Sequence, residues 1–182
     1  EVAAKLIASG GLESATFRQV ARSSGYSKGV IEHYFENKDE LISGALDWAN
    51  HCYVQRVAQS TQGRSGIAAL RNRMEAILPL NKKTRDEWKV RMVFWSAAAI
   101  SPQLRVGQAK RFDLAVQMYA ADIERAMEEG ELAKVQEPKT LAQRLFTAQI
   151  GVCTLSLYNA TRHDEDFLRA EMEHLIENLA DL

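Results

Sequence analysis

The sequence predicts an all-α protein with an N-terminal three-helix helix-turn-helix domain and a helical bundle, about nine helices in all. Only 3 prolines and 10 glycines interrupt the 182 residues, and apolar residues recur at helical spacing from end to end. Alternation of apolar and polar residues never persists, so no strand is expected. The helix-turn-helix domain is expected at residues 1–46 and the helical bundle at residues 47–182. A long fourth helix is expected to join them without a flexible linker.

Capping signals delimit the first four helices. The Thr-x-x-Gln pattern at residues 16–19 is a capping box that starts the second helix. Gly25 ends that helix because glycine tolerates positive φ. Ser27 caps the third helix, and residues 37–40 cap the fourth. The four helices are expected at residues 2–9, 16–25, 27–34 and 37–59.

Five longer helices are expected after the polar loop at residues 60–66. A capping box at residues 84–87 is expected to start the sixth helix, which is apolar almost all round and so suited to the centre of a bundle. Pro102 occupies a favoured first-turn position of the seventh helix. The five helices are expected at residues 67–78, 84–100, 102–130, 138–159 and 166–179.

Composition and charge exclude several classes of protein. Hydrophobic residues make up 46% and charged residues 26%, as in a folded globular protein. The longest run of apolar and small residues, 93–100, is shorter than the roughly 18–20 residues that a membrane span needs. No signal peptide pattern is present, so a cytoplasmic protein is expected, and Glu1 in place of Met predicts further residues before it. The net charge of −1 means that DNA binding must come from a local motif.

No catalytic or metal-binding motif is found. The sequence lacks GxSxG, GxxxxGK[ST] and HExxH patterns. Residues 171–174 show the Glu-x-x-His spacing of a di-iron bundle once, where such a site needs two copies. Cys52 and Cys153 are isolated and are expected to be free thiols. We therefore expect no enzyme, no cofactor and no metal.

The second and third helices, with Gly25 between them, form a candidate helix-turn-helix. The start of the third helix has free backbone N–H groups and a small residue, and both features let the chain approach a phosphate closely. His33 and Tyr34 follow one turn later, within reach of base edges or backbone. Lys38 lies at the positive end of the fourth helix, where a cation is unfavourable unless an anion such as phosphate lies opposite. A plain helical hairpin with a glycine turn is the alternative. The residues at the start of the third helix are Ser27, Lys28 and Gly29.

Three segments carry a family resemblance: TFRQVA at residues 16–21, GYSKGVIEHYF at 25–35 and NKDEL at 37–41. Together they resemble the DNA-binding domain of TetR-family repressors over about residues 2–46. The rest of the chain is similar to that family only in its all-helical architecture and length. Ile31, the His-Tyr-Phe ending of the third helix and the stretch at 94–98 are most similar to the choline-responsive BetI-type subgroup.

The resemblance implies a role for each matching residue. Thr16 and Arg18 would contact phosphates. Ser27, Lys28 and Gly29 would lie at the entrance to the groove. His33 would read a base or the backbone, Tyr34 would hydrogen-bond a phosphate, and Lys38 would clamp one. Glu32 replaces the tyrosine usual in the family, and its carboxylate would either accept a hydrogen bond from cytosine or be repelled by phosphate.

The resemblance also implies that the second section forms a homodimer and binds a small molecule. Aromatic side chains could hold a cationic ligand there, although ordinary core packing is the alternative. The broad apolar surface of the last helix suits a symmetric interface, although it could instead cover the protein's own core. The candidate ligand-binding residues are Trp48, Cys52, Gln55, Trp88, Met92, Trp95, Phe112 and Tyr119. The candidate interface residues are Ala148, Gly151, Val152, Leu155, Met172, Leu175, Ile176 and Leu179.

The function expected is that of a ligand-responsive repressor that binds a palindromic double-stranded operator as a homodimer through its last two helices. The third helices of the two protomers would lie ~34–36 Å apart in the DNA, and the long fourth helix would set that distance. An unidentified small-molecule effector would tilt that helix and weaken operator binding. No membrane partner is expected. A helical interaction adaptor, or an activator with the same DNA-binding domain, is the alternative.

Overall fold

The computed structural model describes residues 1–134, 136–159 and 161–181, and within these ranges it contains nine α-helices and no strand. The all-α prediction is therefore confirmed. None of the helices in these ranges combines the length and the apolarity needed to cross a membrane. The helices are α1 (Val2–Gly10), α2 (Phe17–Ser24), α3 (Lys28–Tyr34), α4 (Lys38–Ser60), α5 (Gly66–Glu75), α6 (Lys82–Ile100), α7 (Pro102–Glu128), α8 (Pro138–Tyr158) and α9 (Glu165–Glu177), with 3₁₀ turns at Leu12–Ser14 and Leu179–Asp181.

Side-chain caps start the helices of the first section. Thr16 Oγ1 accepts a hydrogen bond from Gln19 N at 3.2 Å and starts α2. Ser27 Oγ and Asn37 Oδ1 do the same for α3 and α4. Gly25 ends α2 in the left-handed region, with φ at 78°. A residue with a Cβ would be strained there, so glycine makes the short turn into α3 possible.

The start of α6 differs from the prediction. The helix begins at Lys82, and its cap is Asn81 rather than Thr84. Asn81 Oδ1 accepts from Thr84 N at 3.0 Å, while Thr84 Oγ1 accepts from Asn81 N at 3.1 Å. Thr84 is therefore the second partner of a capping box that lies one turn earlier than expected.

Two apolar cores share helix α6. The first core joins α1, α2, α3 and the first half of α4 to three buried residues of α6, namely Val90, Phe94 and Ala98. The second core is built from α5, α7, α8 and α9, with Trp88 of α6. The division of the chain after residue 46 stays a prediction. The first core extends past that position, to Ala49, and includes α6.

One face of α9 is buried in the second core. Met172, Ile176 and Leu179 are only 4, 5 and 0% exposed. Helix α9 and the 3₁₀ turn after it lie against α8, and α9 also lies against α5, which accounts for this burial. The expectation that these three residues contact a partner chain is corrected, because their side chains already pack inside the protomer.

Candidate nucleic-acid interface and ligand cavity

The side chains of the helix-turn-helix stand clear of the protein's core. Ile31 anchors α3 with 6% exposure, whereas Tyr26 and Tyr34 are 64 and 73% exposed. Lys38 is half-buried. A duplex could therefore reach the whole set without any rearrangement of the core. The other residues predicted to contact DNA are all exposed: Thr16, Arg18, Ser27, Lys28, Gly29, His33 and Tyr34.

Gly29 leaves the start of α3 open to another molecule. A Cβ at this position would meet only Ser27 Oγ, at 4.0 Å. The protein's own packing therefore does not require glycine here. The absence of a side chain lets a phosphate or sugar approach the backbone of α3 closely.

Both lysines of the predicted interface are paired with carboxylates. Lys28 Nζ lies 2.6 Å from Glu32 Oε1, one turn along α3. Lys38 Nζ lies 3.0 Å from Glu13 Oε2 in the 3₁₀ turn before α2. Glu13 thus supplies the anion that Lys38 was expected to need, and sequence analysis missed it because 25 residues separate the two. Every one of the four side chains keeps at least 42% of its surface exposed to water, so each pair is weak and can be exchanged for a phosphate.

A cavity of about 250 Å³ lies between α4, α6, α7 and α8. Trp88, Trp95 and Phe112 line it, as the sequence predicted, together with Phe146 of α8. These rings form an edge-to-face series: the centroids are 5.6 Å apart for Trp88 and Trp95, 5.3 Å for Trp95 and Phe112, and 5.9 Å for Phe112 and Phe146. Aromatic rings in mutual contact therefore form much of the apolar part of the cavity wall.

The other residues predicted to bind a ligand lie elsewhere. Helix α4 faces the cavity with Asn50, Tyr53 and Val54, not with Trp48, Cys52 and Gln55. The residues predicted on α4 therefore lie on other faces of the helix than the residues that line this cavity. Trp48 and Cys52 line a separate groove beside α1 and the start of α6, while Gln55 is exposed.

Met92 and Tyr119 are also absent from the cavity wall. Met92 is half-buried on α6. Tyr119 is 1% exposed and lies behind the wall, where its hydroxyl donates to Gln149 Oε1. Gln149 Nε2 in turn donates to the Met74 carbonyl at 2.8 Å. Tyr119 therefore holds a cavity-lining residue in position rather than lining the cavity itself.

Polar groups that sequence analysis missed also line the cavity. Arg91 is 3% exposed and donates from Nη2 to the Ala49 carbonyl at 3.0 Å. Gln108 is 7% exposed, and its Oε1 is buried without a hydrogen-bond partner. The signal available in the sequence was a single arginine within the apolar half of α6. A group of three or more His, Cys, Asp or Glu side chains suited to a metal does not occur in the described ranges.

Comparison with family models gives two matches. Residues 1–45 match the model described as bacterial regulatory proteins of the TetR family. Residues 66–181 match the model described as the C-terminal domain of BetI-type transcriptional repressors. The first match ends within α4, and the second begins at the first residue of α5.

Similar proteins agree with these matches. The transcriptional regulator YfiR of Bacillus subtilis is 22% identical, over 81% of this chain and 73% of its own length. BetI of Serratia proteamaculans is 28% identical over 52% of this chain, and the alignment spans about half (49%) of that protein.

Solved structures share the fold. A transcriptional regulator from Rhodococcus superposes with a TM-score of 0.84 at 25% identity, covering 99% of this chain and 94% of the other. A regulator from Saccharomonospora viridis, solved in complex with choline, has a TM-score of 0.87 at 24% identity, covering 97% and 92%.

Proposed function

Because this chain belongs to the TetR family of bacterial transcriptional regulators, with a C-terminal domain of BetI type, we propose that it is a ligand-responsive repressor. It acts in the cytoplasm as a homodimer on a palindromic operator, and a small molecule releases it. One observation carries this proposal: α4 is a single helix of 23 residues that belongs to both sections. It begins at Lys38, beside the exposed recognition residues, and lines the cavity with Asn50, Tyr53 and Val54.

DNA binding is assigned to exposed residues of α2, α3 and the first turn of α4. Lys28 and Lys38 exchange their carboxylate partners for phosphates when the duplex binds. Gly29 lets the backbone of α3 approach the groove, and His33 and Tyr34 reach base edges or phosphate. The set proposed is unchanged from the sequence analysis: Thr16, Arg18, Ser27, Lys28, Gly29, His33, Tyr34 and Lys38.

The homodimer is assigned to the face of α8 that the protomer leaves uncovered, with one residue of α9. Leu155 is 60% exposed and Gly151 is exposed as well. Ala148, Val152 and Leu175 are half-buried and extend this apolar face. A second copy related by two-fold symmetry would cover it with the same residues. The dimer would then place two copies of α3 ~34–36 Å apart, on half-sites one turn of DNA apart.

Release is assigned to a ligand bound in the cavity. The choline complex of the S. viridis regulator supports a small organic molecule as the ligand of this fold. A ligand that fits the cavity better when α4 is tilted shifts the protein toward the tilted state. Operator affinity then falls by the same factor by which bound operator lowers ligand affinity.

The test is operator binding by the full chain. Chromatin mapping first identifies the bound fragment, and fluorescence anisotropy then measures its dissociation constant. We expect Lys28→Ala and Tyr34→Ala each to raise that constant at least tenfold, and Lys28→Ala to lower the slope of its salt dependence by about one per subunit. Lys110→Ala, an exposed charge removed from α7, is the matched control. Unchanged affinity in both variants would overturn the proposal.

Transcription from the same operator separates a repressor from an activator. Deletion of the regulator's gene raises reporter expression if the protein represses and lowers it if it activates. A helical adaptor without DNA binding would give no enriched fragment at all. We expect enrichment, and a rise in expression on deletion.

A further inference from the structure

We propose that the effector is a compact apolar molecule with a carboxylate head group, and that Arg91 binds this carboxylate. The inference rests on the proposed function and names the ligand class of its cavity. It follows from the balance of buried charge at the cavity wall, from an unpaired hydrogen-bond donor there, and from the size of the space.

A buried arginine, Arg91, and a half-buried arginine, Arg56, share one carboxylate behind the cavity. Glu87 is 1% exposed and accepts hydrogen bonds from Arg56 Nη1 and Nη2 at 2.9 and 2.7 Å. This bidentate pair satisfies both charges. Arg91 Nη1 lies 3.8 Å from Glu87 Oε2, beyond hydrogen-bond distance. The group of Arg56, Glu87 and Arg91 therefore carries one positive charge in excess.

Arg91 keeps an unpaired donor although it is almost fully buried. Its Nη2 donates to the Ala49 carbonyl, but its Nη1 has no hydrogen-bond partner. Burial lowers the pKa of Arg91 to about 10, which still leaves the guanidinium charged at neutral pH. A buried charge normally has a partner because the loss of hydration is otherwise uncompensated. Arg91 lines the cavity, and an anion bound there would provide that partner once the guanidinium turns the buried Nη1 toward it.

The other charged groups of the wall do not supply this anion. Arg111 and Asp47 line the cavity too, but Arg111 Nη2 donates to Asp47 Oδ1 at 2.8 Å, so these two charges are paired with each other. The wall is therefore net positive. A quaternary ammonium such as choline would enter the same small space as Arg91, and the two positive charges would repel each other. Cation–π contact with the tryptophans would have to overcome that repulsion.

The rest of the cavity surface favours a small apolar group for the part of the ligand beyond its carboxylate. Trp88, Trp95 and Phe112 offer apolar contact to one ring or a short chain. The volume of about 250 Å³ lies below the range of ordinary ligand pockets, ~300–1,000 Å³. Gln108, whose Oε1 lacks a partner, adds an amide that can bind a hydroxyl or, turned over, a carboxylate oxygen.

The test uses matched probes on the full chain without DNA. Phenylacetate and hexanoate are compared with phenylacetamide and choline, by melting temperature and by tryptophan fluorescence. We expect saturable binding of at least one carboxylate, with phenylacetamide and choline at least tenfold weaker. If neither carboxylate shifts the melting temperature, or if choline or the amide binds as tightly, the inference is wrong.

Variants identify the residue responsible. Arg91→Met should abolish the response to carboxylate, yet leave the melting temperature without ligand unchanged or raised, because the charge removed has no full partner. Arg91→Lys keeps the charge and should bind the carboxylates more weakly with the same preference over the amide. Lys89→Met, an exposed charge removed from the same helix, is the control. Wild-type carboxylate affinity in Arg91→Met and Arg91→Lys would overturn the assignment.

Operator anisotropy distinguishes a failure of the proposed ligand class from a failure of the proposed repressor function. If the protein binds its operator but no carboxylate binds the cavity, the ligand class is wrong and the repressor assignment stands. If carboxylates bind through Arg91 but no operator is found, the proposed function fails while the site remains.

Discussion

Arg111 of α7 donates a hydrogen bond to Asp47 of α4 at the rim of the cavity, with 2.8 Å between Nη2 and Oδ1. The same guanidinium lies 5.7 Å from the centroid of the Phe94 ring, on α6. Three helices therefore meet at one side chain, and one of them begins in the DNA-binding section. A ligand that enters past this rim would pass beside a contact between α7 and α4.

Asp47→Asn should weaken ligand control without unfolding the protein. The pair is partly exposed to water, so its loss should change the free energy of unfolding by less than about 1 kcal/mol. We expect the ligand-induced drop in operator affinity to shrink severalfold, because α7 then holds α4 less firmly. Anisotropy with and without ligand measures this. Asp113→Asn, the same change at an exposed position of α7, should retain the full drop.

Glu32→Gln should strengthen operator binding. In the free protein the Glu32 carboxylate lies 2.6 Å from Lys28 Nζ and cancels its charge. The amide frees Lys28 for a phosphate and removes a negative charge from the interface, so we expect several-fold tighter binding and a steeper dependence on salt. Weaker binding confined to operators with cytosine at one position would instead identify Glu32 as a reader of that base.

Leu155→Glu should dissociate the homodimer. Leu155 is 60% exposed on α8, and a two-fold interface would bury two introduced carboxylates at once. We expect the dimer dissociation constant to rise at least ~100-fold, about 2.7 kcal/mol, as measured by sedimentation. Val106→Glu is the control, since Val106 is 61% exposed on α7, outside the proposed interface. A dimer that persists in Leu155→Glu would exclude this face.

Tyr119→Phe should destabilise the protein by about 1–3 kcal/mol, because it leaves the buried Gln149 Oε1 without its donor. Denaturant unfolding at pH 7 measures the change. Tyr158→Phe, at a tyrosine that is 75% exposed, should change stability by less than ~0.5 kcal/mol. Equal stabilities of wild type and Tyr119→Phe would show that the hydroxyl contributes nothing.

Alkaline pH should reduce the advantage of Tyr119 over phenylalanine. Burial raises the pKa of the Tyr119 hydroxyl well above its usual value. The unfolded chain therefore loses this proton first, and the contribution of Tyr119 is complete below the unfolded pKa of about 10 and falls as pH rises above it. The stability difference between wild type and Tyr119→Phe should accordingly shrink by up to ~1.4 kcal/mol per pH unit above that point.

Local signals account for what the sequence predicted well. Thr16, Ser27 and Asn37 act through hydrogen bonds to the next turn, and Gly25 acts through its own φ angle. None of these depends on distant residues, so the helices and the helix-turn-helix could be located from the sequence alone. The exposure of Tyr34 follows in the same way, because Ile31 is the residue of α3 that the core holds.

Long-range packing accounts for what the sequence could not give. Periodicity placed Trp48 and Cys52 on one face of α4, but it could not tell that the neighbouring face meets the cavity. The broad apolar surface of α9 did not reveal that α5 and α8 already cover Met172 and Ile176. The pairing of Lys38 with Glu13 depends on a turn 25 residues away.

The position of α6 also limits how such a protein could be rebuilt. Because Val90, Phe94 and Ala98 complete the first core, where α6 packs against α1 and α4, a chimera that grafts residues 1–46 onto an unrelated bundle would expose apolar side chains of the graft to water. Substitutions on the outer face of α3 are therefore the simpler way to change which operator sequence the protein prefers. Exchange of the whole DNA-binding domain would succeed only if the stretch of α6 that packs against it were transferred as well.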